Sequence, residues 1–418
     1  MNRVIHRCFS FLICLGFIFS LTIFPISSTS IVSQKTSFLT TEVRGVWLTN
    51  VASGVLFVPW GVERAINQLA ALNFNTIYPV VWNRGYTFYK SKVAESIIGE
   101  KTEPLLNFIN SGNDVLEKLV RLAKNKNLSV SPWFEYGFMT PPNSALAKAH
   151  AEWLTSGQKG INSVHENLPE EIKQNGVFNR QVWLNPLHPQ VQEFILGLIL
   201  EVVKNYNVDG IQVDDHFGMP VEFGYDSFTV KLYQKEHLGK TPPTDPYDAK
   251  WMQWRADKIT NFMGRINQAV KKIKPQAKIS LSPNSQYFAY KYYLQDWENW
   301  VNKGWVDELI LQVYRDDKKS FIAEIEKPAV KLAMKKIPVS IGISTGTLLS
   351  PVDIESIKEQ VQIVRDHKFF GFSFFYWESL WGYISPESPQ KRRKAFLEMF
   401  ANKAVKPLNL NRTYVRLD

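Results

Sequence analysis

The stretch Val208-Asp-Gly-Ile-Gln-Val-Asp-Asp-His-Phe217 decides how this chain is read. It begins as a short apolar strand and runs directly into two adjacent carboxylates and an imidazole. A strand buried on both faces ordinarily closes on turn residues, because an ionised Asp is costly to bury unless it is paired or used. One of the two acids can serve simply as the cap of the next helix. Their shared place at the end of a buried strand points instead to chemistry, since βα loops are where α/β proteins gather their active sites.

Outward from this segment the same alternation repeats. Strand-like runs are expected at Val43 to Thr49, Thr76 to Trp82, Leu128 to Glu135, Val208 to Asp214, Ala277 to Ser282, Val306 to Tyr314, Ile337 to Ser344 and Gly371 to Trp377. Segments of helical periodicity follow them, for example Val62 to Leu72, Val115 to Lys124, Val191 to Tyr206 and Ile354 to His367. Eight such units predict an α/β fold, a (β/α)8 TIM barrel over residues 42–402 with long loop insertions on its C-terminal face. The first strand runs into Val46-Trp-Leu-Thr-Asn-Val-Ala-Ser-Gly54, which lacks the glycine pattern of a dinucleotide fold. Two insertions, about 138–187 and about 218–256, should overhang one barrel mouth, and residues 403–418 read as an irregular tail.

The N-terminus has a different character. Arg3 and Arg7 precede an apolar run from Cys8 to Phe24 and the small residues Ser27-Ser-Thr-Ser30, so residues 1–30 read as an export signal and 31–41 as a linker. An uncleaved anchor is the alternative, because the run is close to the ~17-residue lower limit for a membrane span. Cleavage would leave no stable span and place the protein in the periplasm, the cell envelope or the exterior of a bacterium. Cys8 and Cys14, the two cysteines of the chain, would leave with the signal, which excludes disulfides and Cys-ligated metals. The formal charge of +10 would fall to +8, and the surplus is scattered without a basic, aromatic-studded tract, which argues against nucleic acid as a partner.

In a barrel the reacting groups come from the C-terminal ends of several strands. Here those ends are Thr49-Asn50, Trp82-Asn-Arg84, Trp133-Phe-Glu135-Tyr136, Asp214-Asp-His216, Ser282-Pro-Asn284, Gln312-Val-Tyr314-Arg315, Ser344-Thr345 and Tyr376-Trp-Glu378. Glycoside hydrolysis requires one carboxylic acid to protonate the leaving oxygen and a second carboxylate to attack the sugar or activate water. Period two places Gln212 and Asp214 on one side of the fourth strand, making Asp214 the expected nucleophile or ion-stabilising group and Asp215 its orienting neighbour; a one-residue slip would exchange them. Glu378 and Glu135 are equal candidates for the acid, each beside a tryptophan that can raise its pKa. Trp82, Trp133, Tyr314, Trp377 and Trp381 are expected to stack on sugars, with Asn50, Asn284 and Gln312 offered to hydroxyls. Ordinary packing at the barrel mouth is the plain alternative for each ring. His216 invites a metal-dependent deacetylase reading, but no His pair at helical spacing accompanies it, so it is read as bonding a neighbouring acid or a sugar hydroxyl, with no metal.

Several motifs in sequence order carry a resemblance. Glu42-Val-Arg-Gly-Val-Trp-Leu-Thr49, Asn75-Thr-Ile77, Asp209-Gly-Ile211 with Asp214-Asp215, Ser282-Pro283, Asp296-Trp297 through Trp300, Gly304-Trp305, Asp307, Gln312 to Tyr314 and Gly342-Ile343 resemble the glycosyl hydrolase-like 10 family of secreted bacterial proteins, from about 42 to 382. The resemblance implies a (β/α)8 barrel that cleaves glycans, with cell-wall polymers as a suspected substrate class. The sequence departs from the family pattern at Glu135-Tyr136, where an Asn-Pro pair is common, and at Pro79-Val-Val-Trp82, so Glu135 inherits no role from it.

The expectation is an exported glycoside hydrolase needing no cofactor, acting on peptidoglycan strands or an exopolysaccharide. The rival expectation is a barrel that binds carbohydrate in the envelope without cleaving it.

Overall fold

The computed structural model of the chain describes residues 40–160, 181–347, 350–381 and 385–407. The expected signal, most of the linker, and residues 408–418 of the expected tail fall outside these ranges. Eight parallel strands form the centre: β1 (Val43–Leu48), β2 (Thr76–Pro79), β3 (in two pieces, Ser129–Val130 and Trp133–Phe134), β4 (Gly210–Asp214), β5 (Lys278–Ser282), β6 (Glu308–Gln312), β7 (Val339–Ser344) and β8 (Gly371–Phe375). Each pairs with its neighbours in sequence, and β8 pairs with β1. Strand β3 closes the ring. Its first piece pairs with β2 and its second with β4, and between them the ladder continues from Ser131 N to Ile77 O (3.0 Å) and from Gln212 N to Pro132 O (2.8 Å). Pro132 has no N–H of its own, so it can sit here only by accepting.

Helices cover the outside for local reasons. In Val115–Lys124 the Asp114 side chain caps the start by accepting from Glu117 N (3.1 Å), and Val115, Leu116, Leu119, Val120 and Ala123 form the buried face. Outward strand residues pack against this layer; Phe374 of β8 meets Phe396 of the helix Pro389–Met399 with ring centroids 5.4 Å apart.

Inside the barrel large rings alternate with very small residues. Trp47, Tyr78, Trp133 and Phe375 meet across the interior, with centroid distances of 5.4 to 6.4 Å. Gly45, Gly342, Ser280 and Ser373 leave the room for them. A methyl on Gly45 would collide with Ser373 Oγ and stand 2.8 Å from Tyr78 Cε2. Gln212 points inward, accepting from Trp47 Nε1 (2.7 Å) and donating to Ser280 Oγ (3.0 Å).

The start of the expected tail is regular, which corrects that reading. Ala404–Val405 pairs in parallel with Thr40–Thr41. The Lys406 ammonium stands 3.3 Å from the buried Glu308 carboxylate, and Lys278 donates to Pro407 O (2.7 Å). Burial works to raise the Glu308 carboxyl, but Lys406 and Lys278 outweigh it and hold the group below its usual range. A buried acid on the barrel floor needs both cations, and one is supplied by the tail.

Gly45→Ala should lower stability by about 1–3 kcal/mol through overpacking, read as a shift in urea midpoint. Gly54→Ala, whose added methyl meets nothing within 4 Å, should stay within about 0.5 kcal/mol of the parent.

Candidate active site

The C-terminal ends of β3, β4, β5 and β6 bring one connected group of side chains together. Asp214, the last residue of β4, is buried with 2% of its surface exposed. Its Oδ2 accepts from Trp133 Nε1 (2.8 Å), and its Oδ1 accepts from Gln312 Nε2 (2.7 Å) and from the backbone N of Asp215 (2.7 Å). A carboxylate offers about four acceptor positions, so one on Oδ2 is left for a ligand. Burial, then the charge of Asp215, push the Asp214 carboxyl well above the ordinary Asp range, and Glu135 adds to the push.

Asp215 is less enclosed. Its Oδ2 accepts from Asn284 Nδ2 (2.8 Å), and its Oδ1 lies 3.3 Å from His216 Nδ1. That imidazole nitrogen also stands 3.0 Å from Glu135 O. A carbonyl oxygen can only accept, so Nδ1 carries the hydrogen. Backbone register is fixed from beneath by Gln295, whose Nε2 donates to the carbonyls of Asp214 (2.9 Å) and Phe217 (3.1 Å).

Glu135 enters from the end of β3. Its Oε2 accepts from Asn83 Nδ2 (2.7 Å) and Thr49 Oγ1 (3.1 Å). Burial lifts this carboxyl to about 7 against those two donors and the nearby Arg84, with Asp215 contributing a further upward push. Gly137 makes the turn possible: its φ is +48°, and a Cβ there would strike the His216 backbone. The half-buried Tyr314 stacks on Phe375 (5.5 Å) and feels the charges of Asp214, Asp215 and Glu135, which after burial hold its hydroxyl protonated.

Glu378 stands with other partners. It follows β8 in the turn Glu378–Leu380, and its Oε1 accepts from Ser53 Oγ and from Val55 N (3.3 Å) in the loop after β1. Burial lifts it also to about 7. None of its hydrogen bonds reaches the Asp214 network. Among the described residues its Oε2, the Nε1 atoms of Trp377 and Trp381, and Asn50 Oδ1 are buried without a hydrogen-bond partner.

The aromatic expectations need correction. Trp82 is fully buried, because the chain leaves the barrel after Val80 for the hairpin Trp82–Asn83 with Tyr86–Thr87; the ring packs edge-on against Phe194 (5.5 Å) and donates to Gly137 O (3.0 Å). Trp133, in register with Gln212, points into the barrel and holds Asp214, so it positions an acid and presents no face to a sugar. Trp377 and Trp381 keep only 7% and 6% exposure, too little for a ring to lie open to a sugar. Thr49, Asn83 and Gln295 were not singled out by the sequence, although Thr49 and Asn83 stand at the strand ends it marks.

Asp214, Asp215 and His216 are, among the described residues, the one group of three whose metal-type donor atoms lie within 4.8 Å of one another. The Asp214 oxygens face three N–H donors, groups that a cation would oppose, and the set therefore reads as a hydrogen-bonded acid pair. The two insertions meet at Asp226: within the first, Met139–Thr140 pairs with Val182–Trp183, and its Thr155 and Asn185 both bond Asp226 of the second (2.9 and 3.1 Å).

A closed parallel barrel with acids at its C-terminal mouth is the architecture of the glycoside hydrolase barrels. The glycoside hydrolase domain of PgaB (BpsB) from Bordetella bronchiseptica shares this fold, with a TM-score of 0.56 at 13% identity over 84% of this chain and 100% of that one. The chain belongs to the glycosyl hydrolase-like 10 family, whose model matches residues 42–364. It is 22% identical over 307 residues to glycosyl hydrolase YngK of Bacillus subtilis, covering 65% of this chain and 54% of that protein. It is 24% identical over 329 residues to glycosyl hydrolase DigH of Escherichia coli, covering 65% of each. The chain thus spans between about half and two thirds of the length of these relatives.

Glu135 gives the site a stability signature. Between the unfolded value near 4.5 and about 7 the folded protein holds more protons at this group than the unfolded chain does, so stability falls as pH rises through that window. Glu135→Gln removes this contribution while its amide oxygen can still accept from Asn83 and Thr49. The variant should gain roughly 1–3 kcal/mol over wild type on going from pH 4 to pH 8, measured by urea unfolding at both values.

Proposed function

We propose that this protein is an exported glycoside hydrolase that cleaves a bacterial glycan, peptidoglycan strands or an exopolysaccharide, with Asp214 and Glu135 as its two carboxylates. The observation that carries the reading is that two buried acids from neighbouring strand ends act on each other at one barrel mouth, Glu135 being among the charges that push on Asp214. Glu135 sits where burial lifts it to about 7, the value suited to a general acid at neutral pH. Burial and Asp215 push Asp214 up as well; its three N–H donors oppose that push and stabilise the ionised form that faces the developing positive charge at the anomeric carbon. In the proposed reaction Glu135 gives its proton to the leaving oxygen as the anomeric C–O bond breaks and Asp214 Oδ2 takes the anomeric carbon; water then displaces Asp214 from that carbon and gives its proton to the Glu135 carboxylate. Asp215, held by Asn284, orients the substrate, and His216 keeps Asp215 and the Glu135 backbone in register. No cofactor enters the proposed chemistry. Family membership and the barrel fold support a hydrolase acting on glycans; export is inferred from the sequence signal alone.

One observation favours the second reading, a barrel that binds glycan without cleaving it: Asp214 is only 2% exposed. The two separate on one assay. Purified wild type, Asp214→Asn and Glu135→Gln are incubated with peptidoglycan and with exopolysaccharide, and new reducing ends are counted. Each variant should lose about 10²–10⁴-fold in rate, and the wild-type rate should fall as pH rises through about 7, where Glu135 gives up its proton. Glycan binding with equal release from all three proteins, or with none, would establish the binding barrel.

A further inference from the structure

After β5 the chain enters Gln286-Tyr-Phe-Ala-Tyr-Lys-Tyr-Tyr293, a helix with five aromatic rings in eight residues. Packing accounts for only part of them. Tyr290 and Tyr293 lie against the main core, whereas Tyr287, Phe288 and Tyr292 stand outside it, and Tyr287 is 66% exposed. The helix is tied to the catalytic rim by its backbone: Met219 N donates to Tyr293 O (2.8 Å) and Val221 N to Tyr292 O (2.9 Å), both from the loop after β4. Asn284, just before the helix, holds Asp215.

The rings form a continuous row from the acids outward. His216 lies 6.3 Å from Trp183, Trp183 lies 6.3 Å from Tyr293, Tyr293 lies 5.9 Å from Phe288 and Phe288 lies 5.0 Å from Tyr292, centroid to centroid. Lys291 then joins Tyr292 to Tyr287, its ammonium 5.2 Å and 5.1 Å from the two rings, and it donates to the Tyr287 hydroxyl (2.8 Å). An exposed ring, Tyr287, continued by the half-buried Phe288 and Tyr292 outside the core, marks a binding surface. Tyrosines with free edges suit pyranoses, whose flat C–H faces stack while their hydroxyls bond to the rim.

From this row we infer an extended glycan-binding strip, Tyr293, Phe288, Tyr292 and Tyr287, which receives the part of a linear pyranose polymer that runs away from the cleavage point. The inference rests on the reading of the Asp215 rim as a glycan site. It makes a polymer the substrate and gives an internal chain segment, not a free end alone, a place to lie.

The test uses the full chain. Binding to insoluble peptidoglycan and to a soluble exopolysaccharide, and release of reducing ends, are measured for wild type, Tyr287→Ala/Tyr292→Ala and Phe108→Ala, with melting temperatures for each. Phe108, 80% exposed and outside the strip, controls for loss of any surface ring. The double variant should bind the preferred polymer about tenfold more weakly, with its melting temperature and its rate on a disaccharide glycoside unchanged, while Phe108→Ala binds as wild type does. Lys291→Met, which leaves both rings in place but unclamped, should give a smaller loss in the same direction. Equal affinity of the double variant and wild type for both polymers would overturn the strip, as would binding of neither polymer by wild type. If no protein releases reducing ends but the double variant still loses affinity, the hydrolase reading falls and the strip stands.

Discussion

The structure depends on satisfying a carboxylate that has been drawn out of water. Asp214 is buried at the end of β4, and an uncompensated charge there would cost several kcal/mol. Three donors answer it, two of them from other strands: the indole of Trp133 from β3 and the amide of Gln312 from β6, with the backbone N of the next residue, Asp215, as the third. The acid is therefore also a tie across the barrel mouth. Anything that displaces β3 or β6 strips a donor from Asp214, so the geometry of the site and the closure of the barrel rest on the same bonds.

That coupling explains the interior. Trp133 can reach Asp214 only if the ring lies inside the barrel, and a tryptophan there needs small neighbours. The glycines and serines at Gly45, Gly342, Ser280 and Ser373 make that space, with Trp47 and Tyr78 filling what remains. Gln212 then joins Trp47 to Ser280 beneath the acid, so the layer under the site is held by hydrogen bonds as well as by packing. The floor is closed by a different device, the Glu308 carboxylate between Lys278 and Lys406.

Much of this was legible in the sequence. All eight strands lie within the ranges expected from apolar runs, and period two put Gln212 and Asp214 on one side of β4 correctly, because both depend on local alternation. What the sequence could not carry is which partner a side chain finds across the barrel. Asn83 meets Glu135 across 52 residues and Thr49 meets it across 86, contacts set by strand order and shear. The aromatic residues misled for a related reason. Trp82 and Trp133 stand near strand ends, but one lies in a hairpin that has left the sheet and the other in a strand that continues, so their rings point to a helix and to the barrel axis. The tail was misread because a two-residue strand has no periodicity to detect.

The choice between two buried glutamates turns on neighbours, since burial alone treats them alike: Glu135 and Glu378 are both lifted to about 7. Among the charges that act on Glu135 is Asp215, and among those that act on Asp214 is Glu135. Glu378 answers to Ser53 and the backbone around Val55 instead. An acid and a carboxylate that share one sugar must sense each other's charge, because the bond being broken lies between them. Glu135 meets that condition and adds a second one, since its backbone carbonyl holds His216 beside Asp215. Among the described residues the Oε2 of Glu378 has no hydrogen-bond partner, so nothing links it to Asp214.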